Sequence, residues 1–376
     1  MSALVVGGGP VGMTVAGLLA RQGYPVTVID KRSSLSTLPR GIAVNQASLA
    51  VFDQLEIGGD LDRLSLRVPR ITLYRERSPI GQVDFSRLNI ARPFFCHITQ
   101  NVLERVLQGQ LSRLGVTIQH GVALQSLTDT PTGVRAICID ADGRPLAFNA
   151  DILLACDGGN STVRSLLGLE VDQQTYGASF FLADVRFEQL PLCASDTHYF
   201  LCRSGYLMVV PIPQGRHRVI LSFKGDGSAT GIDARWLEAA IAQRVGLSVR
   251  IGEVCWSTHS LFGHRVCRRA RCNQVFLAGD ALHQFSPIGG TNMNVGIDDA
   301  AALARAILQG KTDDYEAQRL EVVSQHLRVT RYLTRVLVRT RELGPLRRPF
   351  SSRSLRCLLE DEIPPLLTGR ERHPTA

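Results

Sequence analysis

Ala3-Leu4-Val5-Val6-Gly7-Gly8-Gly9-Pro10-Val11-Gly12 is the stretch that decides the fold. Its first four residues are the apolar run of a buried parallel strand. They lead directly into G-x-G-x-x-G at Gly7, Gly9 and Gly12. Val11, Val15, Leu18 and Leu19 then recur at helical spacing before Gly23, a residue suited to ending a helix. A second apolar strand, Val26-Thr27-Val28-Ile29, delivers Asp30 at its end. Glycines at these positions let backbone amides approach a pyrophosphate, which sits on the helix N-terminus. A carboxylate at the next strand end accepts hydrogen bonds from a ribose 2′-hydroxyl. The pattern therefore predicts an adenine dinucleotide, either FAD or NAD. Asp30 would repel the 2′-phosphate of NADP bound in the same crevice.

At 376 residues the chain has room for one large or two modest domains and a substantial core. Lys and Arg outnumber Asp and Glu by 42 to 34, a net charge of +8, while 44% of residues are hydrophobic, which excludes a disordered chain. No apolar run reaches the roughly 20 residues of a membrane-spanning helix. The nine cysteines form no CxxC pair, which argues for reduced thiols and against a disulfide framework or a metal site. The N-terminus enters its motif without a basic segment, so no signal peptide is expected and a cytoplasmic location is. Arg328, Arg331, Arg335 and Arg339 recur along one helical face, read as a solvated surface. No nucleic-acid-binding motif accompanies them.

Beyond Asp30 the chain departs from a simple alternation of strand and helix. A helix is expected around 48–55, strand character at 71–74, and a long helix from Gln100 to about Leu114. Residues 116–118, 134–139 and 146–148 read as strands of a meander turning at Asp142-Gly143. Two further strand-to-turn motifs follow. Ile152-Leu153-Leu154-Ala155-Cys156 ends in Asp157-Gly158-Gly159-Asn160-Ser161-Thr162-Val163-Arg164. Val275-Phe276-Leu277-Ala278 ends in Gly279-Asp280-Ala281-Leu282-His283 and continues through Pro287, Gly289-Gly290 and Asn294 to Asp299-Ala300.

Together the three motifs resemble the class A FAD-dependent aromatic-hydroxylase family, the flavoprotein monooxygenases similar to para-hydroxybenzoate hydroxylase, over roughly residues 3–310. The resemblance implies an α/β fold: a Rossmann-like FAD-binding domain with an interleaved antiparallel-sheet substrate domain and a C-terminal helix. It implies bound FAD, with NADH or NADPH as co-substrate docking transiently. Gly7, Gly9, Gly12, Asp30 and Lys31 would hold the adenosine diphosphate half, with Arg40 and Gln100 at the pyrophosphate and ribityl chain. Asp280, following Gly279, would bind the ribityl chain, and Asp157 would support the cofactor. Arg164 would serve NAD(P)H docking or structure, held by Asp157. Amides of the helix opened by Pro287, with Gly290, Met293 and Asn294, would line the flavin's pyrimidine edge, where the reduced ring carries negative charge. Where the family has glycine, one residue, glycine, this chain has Gly290-Thr291-Asn292. Asn tolerates positive φ best among non-glycine residues, so the loop is expected to keep its shape while a side chain is added beside the flavin.

The implied reaction inserts one oxygen atom from O2 into an aromatic or polycyclic small molecule through a flavin C4a-hydroperoxide. Epoxidation, Baeyer–Villiger insertion, or an FAD-dependent reductase or dehydrogenase are the alternatives. The W-x-W-x-I-P signature of flavin halogenases is absent, since Trp236 and Trp256 stand alone. No catalytic acid or base is assigned. His198, Tyr199, Arg203, Tyr206 and His217 are candidates, of which His198 and Tyr206 are retained, each also readable as structural or exposed, and His283 reads as a packing residue.

The expected division is FAD-binding at 1–75, 100–169 and 266–310, substrate domain at 76–99 and 170–265, and a helical C-terminal region and tail at 311–376. The tail is too short for the third domain of phenol-hydroxylase relatives, which predicts a monomer or weak homodimer.

Overall fold

The computed structural model describes residues 1–87, 92–202, 205–224, 233–286 and 290–338. Pro287 and Gly289, Arg203, and the tail from Arg339 onward, all singled out above, lie outside the described residues. The first half of the chain contains β1 (Ala3–Val6), α1 (Pro10–Arg21), β2 (Val26–Asp30), β3 (Ala43–Val44), α2 (Gln46–Gln54), α3 (Gly58–Leu64), β4 (Leu66–Val68), β5 (Arg70–Arg75), β6 (Ser78–Asp84) and β7 (Phe95–His97). Then come α4 (Gln100–Arg113), β8 (Ile118–His120), β9 (Ala123–Thr130), β10 (Gly133–Ile139), β11 (Pro145–Ala150), β12 (Ile152–Ala155) and α5 (Thr162–Leu166). The second half holds β13 (Val171–Gln189), β14 (Thr197–Cys202), β15 (Gly205–Ile212), β16 (Arg216–Lys224), α6 (Ala234–Val245) and β17 (Arg250–Cys267). It ends with β18 (Arg271–Cys272), β19 (Val275–Leu277), β20 (His283–Gln284), α7 (Asn292–Leu308) and α8 (Tyr315–Val338).

Six strands in the order β18-β19-β12-β1-β2-β8 form the first sheet, parallel except at β18. Its central strands β1 and β12 are buried along their whole length, which is why they read as unbroken apolar runs. The carboxyl ends of β19, β12 and β1 open on one edge, where the order of connection reverses around β1. Such a switch point is where α/β sheets bind ligands. Helix α1 packs between this sheet and helices α4 and α7.

Eight strands, β20-β17-β13-β16-β15-β14-β5-β6, form the second sheet, antiparallel except where β14 meets β5. Alternation along β13 to β16 gives it two apolar faces. Phe181, Ala183, Phe200, Leu207, Val209 and Leu221 pack under α6. Phe180, Tyr206, Met208, Val210 and Ile220 face the other way, toward Ile42 in the loop before β3.

Two expectations change. Ile118 belongs to β8, parallel to β2 in the six-stranded sheet, and the meander is β9-β10-β11 instead. Its first strand was missed because its outer half, Gln125 to Thr130, is polar and largely exposed. The eight-stranded sheet also begins at Arg70, ahead of the boundary expected at residue 76, because β5 pairs with both β6 and β14.

Candidate functional site

Three turns meet at the open edge of the first sheet. After β1, Gly7 adopts φ +110°, and a Cβ on Gly12 would overlap the Gly7 carbonyl oxygen. The close approach of helix to strand therefore requires these glycines. Gly9, by contrast, has no atom of the described residues within 4 Å of a Cβ position. After β19, Gly279 has φ +60°, and a Cβ there would lie 2.8 Å from Val11 at the start of α1. After β12, Asp157 accepts from the amides of Thr162 (2.6 Å) and Val163 (3.1 Å), capping α5.

Arg164 is buried and joins two of these turns. Its guanidinium donates to the carbonyls of Gly159 (2.6 Å) and Ala281 (2.9 Å). The expected hydrogen bond between Asp157 and Arg164 is therefore not formed, because Asp157 is turned onto the α5 amides. Burial, ahead of the neighbouring Arg265, lowers the pKa of Arg164.

Asp30 sits at the end of β2, as predicted, with its carboxylate already engaged. Oδ1 accepts from the amide (2.8 Å) and Nε (3.1 Å) of Arg32, and Oδ2 from the Gly8 amide (2.6 Å) and Arg32 Nη2 (2.9 Å). Burial raises its pKa, but these bonds to Arg32 and Gly8 outweigh that and hold it below the usual carboxylate range. Four donors fill the four lone-pair sites of a carboxylate. Arg32, which holds three of these bonds, also touches buried Glu104. Lys31 is exposed beside it.

Gln100 accepts from the Gly41 amide (3.2 Å) and donates to Glu104 (2.8 Å). Asn294 uses its whole amide: Oδ1 accepts from Asn45 N and Ser48 Oγ, and Nδ2 donates to the carbonyls of Ala43 and Gly290. It thus ties the start of α7 to β3 and α2. Met293 packs near Gly41, and Arg40 is exposed at the rim.

Among the described residues Asp280 has a single long contact, to Gln284 Nε2 at 3.4 Å. Burial raises its pKa above the usual value, against the opposing pull of His283 and Arg40. Among the cofactor-site candidates it is the carboxylate with most acceptor capacity left.

Gly290 has φ +62°, whereas Asn292 is not among the residues of positive φ. The Asn292 side chain accepts from the Phe285 amide (2.7 Å) and donates to its carbonyl (2.9 Å), closing the loop on itself. The predicted tolerance of positive φ is therefore not used.

Alternation separates the weak catalytic candidates. Tyr206 lies in the apolar cluster facing Ile42. His198 is on the other face, its ring bonded to the Cys193 carbonyl (2.8 Å) and the Tyr74 hydroxyl (3.2 Å). Sequence reasoning missed His97, whose Nδ1–H donates to the Pro211 carbonyl at 2.7 Å; burial lowers its pKa to about 4. It also missed the fully buried pair Asp184–Arg218 on β13 and β16. Arg218 bonds both carboxylate oxygens (2.7 and 2.9 Å), lies over the Trp256 ring, and donates to the carbonyls of Pro39 and Arg40. One side chain thus rivets the second sheet to the loop carrying Arg40. No local pattern marks these residues, because their partners are distant in sequence.

Three glycine turns at the ends of parallel strands, with the apolar face of a second sheet packed on Ile42 in the loop before β3, define the FAD-binding crevice of a flavoprotein hydroxylase fold. The chain belongs to the family described as FAD binding domain, whose sequence model matches residues 1–330. It is 30% identical over 359 residues to 6-methylpretetramide 4-monooxygenase of Streptomyces rimosus, covering 92% of this chain and 64% of that protein. It is 27% identical over 347 residues to pentachlorophenol 4-monooxygenase of Sphingobium chlorophenolicum, covering 89% and 64%. The chain thus spans just under two thirds of the length of these relatives. Its fold matches p-nitrophenol 4-monooxygenase of Pseudomonas putida with a TM-score of 0.82 at 22% identity, covering 98% of each chain.

The crevice fits FAD on its own geometry. Among the described residues nothing stands within 4 Å of a Cβ position on Gly9, and neither α1 nor α7 has a side-chain cap, which leaves the N–H groups after Pro10 in α1 and those of the first turn of α7 uncapped. Asp157 Oδ1 and Thr291 Oγ1 are buried without a partner among the described residues. Among those residues no helix is long and apolar enough to cross a membrane.

Proposed function

We propose that the chain is an FAD-dependent monooxygenase that consumes NAD(P)H and O2 and inserts one oxygen atom into an aromatic or polycyclic small molecule. The balance is substrate–H + O2 + NAD(P)H + H⁺ giving substrate–OH, water and NAD(P)⁺. The observation that carries this reading is the meeting of the three glycine turns after β1, β12 and β19, together with an apolar sheet face of Phe180, Tyr206, Met208, Val210 and Ile220 that packs on Ile42, next in the chain to the Gly41 near Met293. Relatives named as monooxygenases of pentachlorophenol and 6-methylpretetramide support the substrate class.

Bound FAD supplies the electron storage and oxygen-activating ring; the chain supplies position and a dry chamber. Gly7, Gly9 and Gly12 admit the pyrophosphate to the α1 amides. Asp30, with Lys31 and Arg32, takes the adenosine ribose. Asp280, behind Gly279, binds the ribityl hydroxyls, with Arg40 and Gln100 flanking. Asp157 holds its turn, and Gly290, Met293 and Asn294 shape the pyrimidine edge. Arg164, its fork committed to two carbonyls, acts as a structural link between turns. His97 stays neutral and leaves Nε2 as an acceptor beside Pro211. We assign the six-stranded sheet with its helices to cofactor binding and the eight-stranded sheet to the substrate, in a cytoplasmic monomer or weak dimer.

The test is oxygen uptake with a panel of phenols and polycyclic aromatics. One O2 consumed per NAD(P)H oxidised, with a product one oxygen atom heavier, supports the reading. A product changed only in hydrogen content would make it a reductase or dehydrogenase instead.

A further inference from the structure

Asp313-Asp314-Tyr315-Glu316-Ala317-Gln318-Arg319 lies past the family motifs, yet three of these residues fasten α8 to the cofactor layer. The Tyr315 hydroxyl donates to the Leu277 carbonyl (2.8 Å) in β19. Glu316 accepts from the amides of Ala270 and Arg271 (2.8 Å each). Arg319 is 4% exposed and donates through Nε to Asp299 Oδ1 (2.8 Å) and through Nη1 to Asp298 (2.7 Å).

Asp299, fully buried on α7, is the hub. Its other oxygen, Oδ2, accepts from the Gly279 amide at 2.8 Å and from His283 Nε2 at 2.6 Å. These are the two ends of the five-residue turn that carries Asp280. One carboxylate oxygen therefore staples both ends of the turn, while Arg319 holds the other oxygen and so sets the plane of the carboxylate. Among the described residues Asp280 has only a long contact to Gln284, so its aim depends on the turn beneath it.

We propose that Arg319 is a positioning residue of the flavin site: acting through Asp299, it fixes the Gly279–His283 turn and thereby aims Asp280 at the ribityl chain. This rests on the reading that the crevice holds FAD. It makes α8 a working part of the cofactor site.

The experiment compares wild type, Arg319→Met and Arg319→Lys as apoproteins, each below its own melting temperature, for affinity toward FAD and toward ADP. ADP carries the adenosine half of FAD and lacks the ribityl chain. Arg319→Met is expected to bind FAD at least tenfold more weakly while its ADP affinity stays within twofold. Arg319→Lys, which restores the charge without the fork, is expected to recover part of the loss. Equal weakening toward FAD and ADP, or none toward either, overturns the proposal. If Arg319→Met yields no folded protein, Arg319→Lys decides alone: FAD binding weakened threefold or more, with ADP unchanged, supports it, and wild-type FAD affinity overturns it. A wild-type chain that takes up no FAD contradicts the underlying functional reading, whatever the variants do.

Discussion

Arg218→Met leaves Asp184 a fully buried carboxylate without its cation and strips the donors from the Pro39 and Arg40 carbonyls. Breaking one side of a buried ion pair costs about 3–5 kcal/mol, because the remaining charge keeps its desolvation penalty. At roughly 2 °C per kcal/mol for a chain of this size, thermal unfolding should move down by about 6–10 °C. Asp184→Leu should cost a similar amount, since it strands the guanidinium instead. The double variant removes both charges at once, so its loss should fall well short of the sum of the singles. The remaining deficit would come from the two loop carbonyls. Calorimetric or fluorescence melts of the four proteins, combined as a double-mutant cycle, measure the coupling. Strictly additive losses, or a single-variant loss under about 1 kcal/mol, would refute the role of this pair as a rivet between layers.

Asp280→Ala should lose most bound FAD at unchanged fold, read as flavin retained after gel filtration; wild-type occupancy would count against its assignment. Gly12→Ala should fold poorly or emerge free of flavin, because a Cβ there collides with the Gly7 carbonyl; full flavin loading in a soluble Gly12→Ala protein would contradict the turn geometry. Asn292→Gly removes a two-way bond to the Phe285 backbone and should cost about 1–2 kcal/mol in urea unfolding; an unchanged midpoint would show the latch to be idle. His97 is held at a pKa of about 4 by burial. Its depressed value contributes stability that is full above the unfolded pKa near 6.5 and lost as pH falls toward 4. The loss from this residue between pH 7 and 5 is about 2 kcal/mol. His97→Gln should flatten that part of the stability profile, and an unaltered slope would exclude the histidine as its source.

The parts of the fold that read directly from sequence are those with local causes. The strands β1, β12 and β19 are buried on both faces and continuous in apolar residues, and each ends in a glycine turn whose spacing is visible along the chain. Less legible were β8 and β9, because a three-residue parallel strand and a half-exposed polar one carry no strong period. The eighteen residues of β17 are ordered by partners on both sides, β13 and β20, and not by their own pattern. At the site the glycine turns and the position of Asp280 after Gly279 were legible, whereas the contacts of Arg32, Asp184–Arg218 and Asp299–Arg319 were not. Their meaning lies in what a long side chain reaches. Arg32 bends back over Asp30 from two residues away, and Arg319 is buried only because α8 lays it on α7. The departure at Asn292 was visible, but its consequence depended on a backbone group seven residues earlier.

Flavin uptake by the isolated polypeptide is the most direct measurement. The expected result is a yellow protein, or an apoprotein that takes up one FAD per chain on reconstitution, with uptake abolished in Asp280→Ala. A correctly folded chain that stays colourless when saturated with FAD would contradict the account at its root.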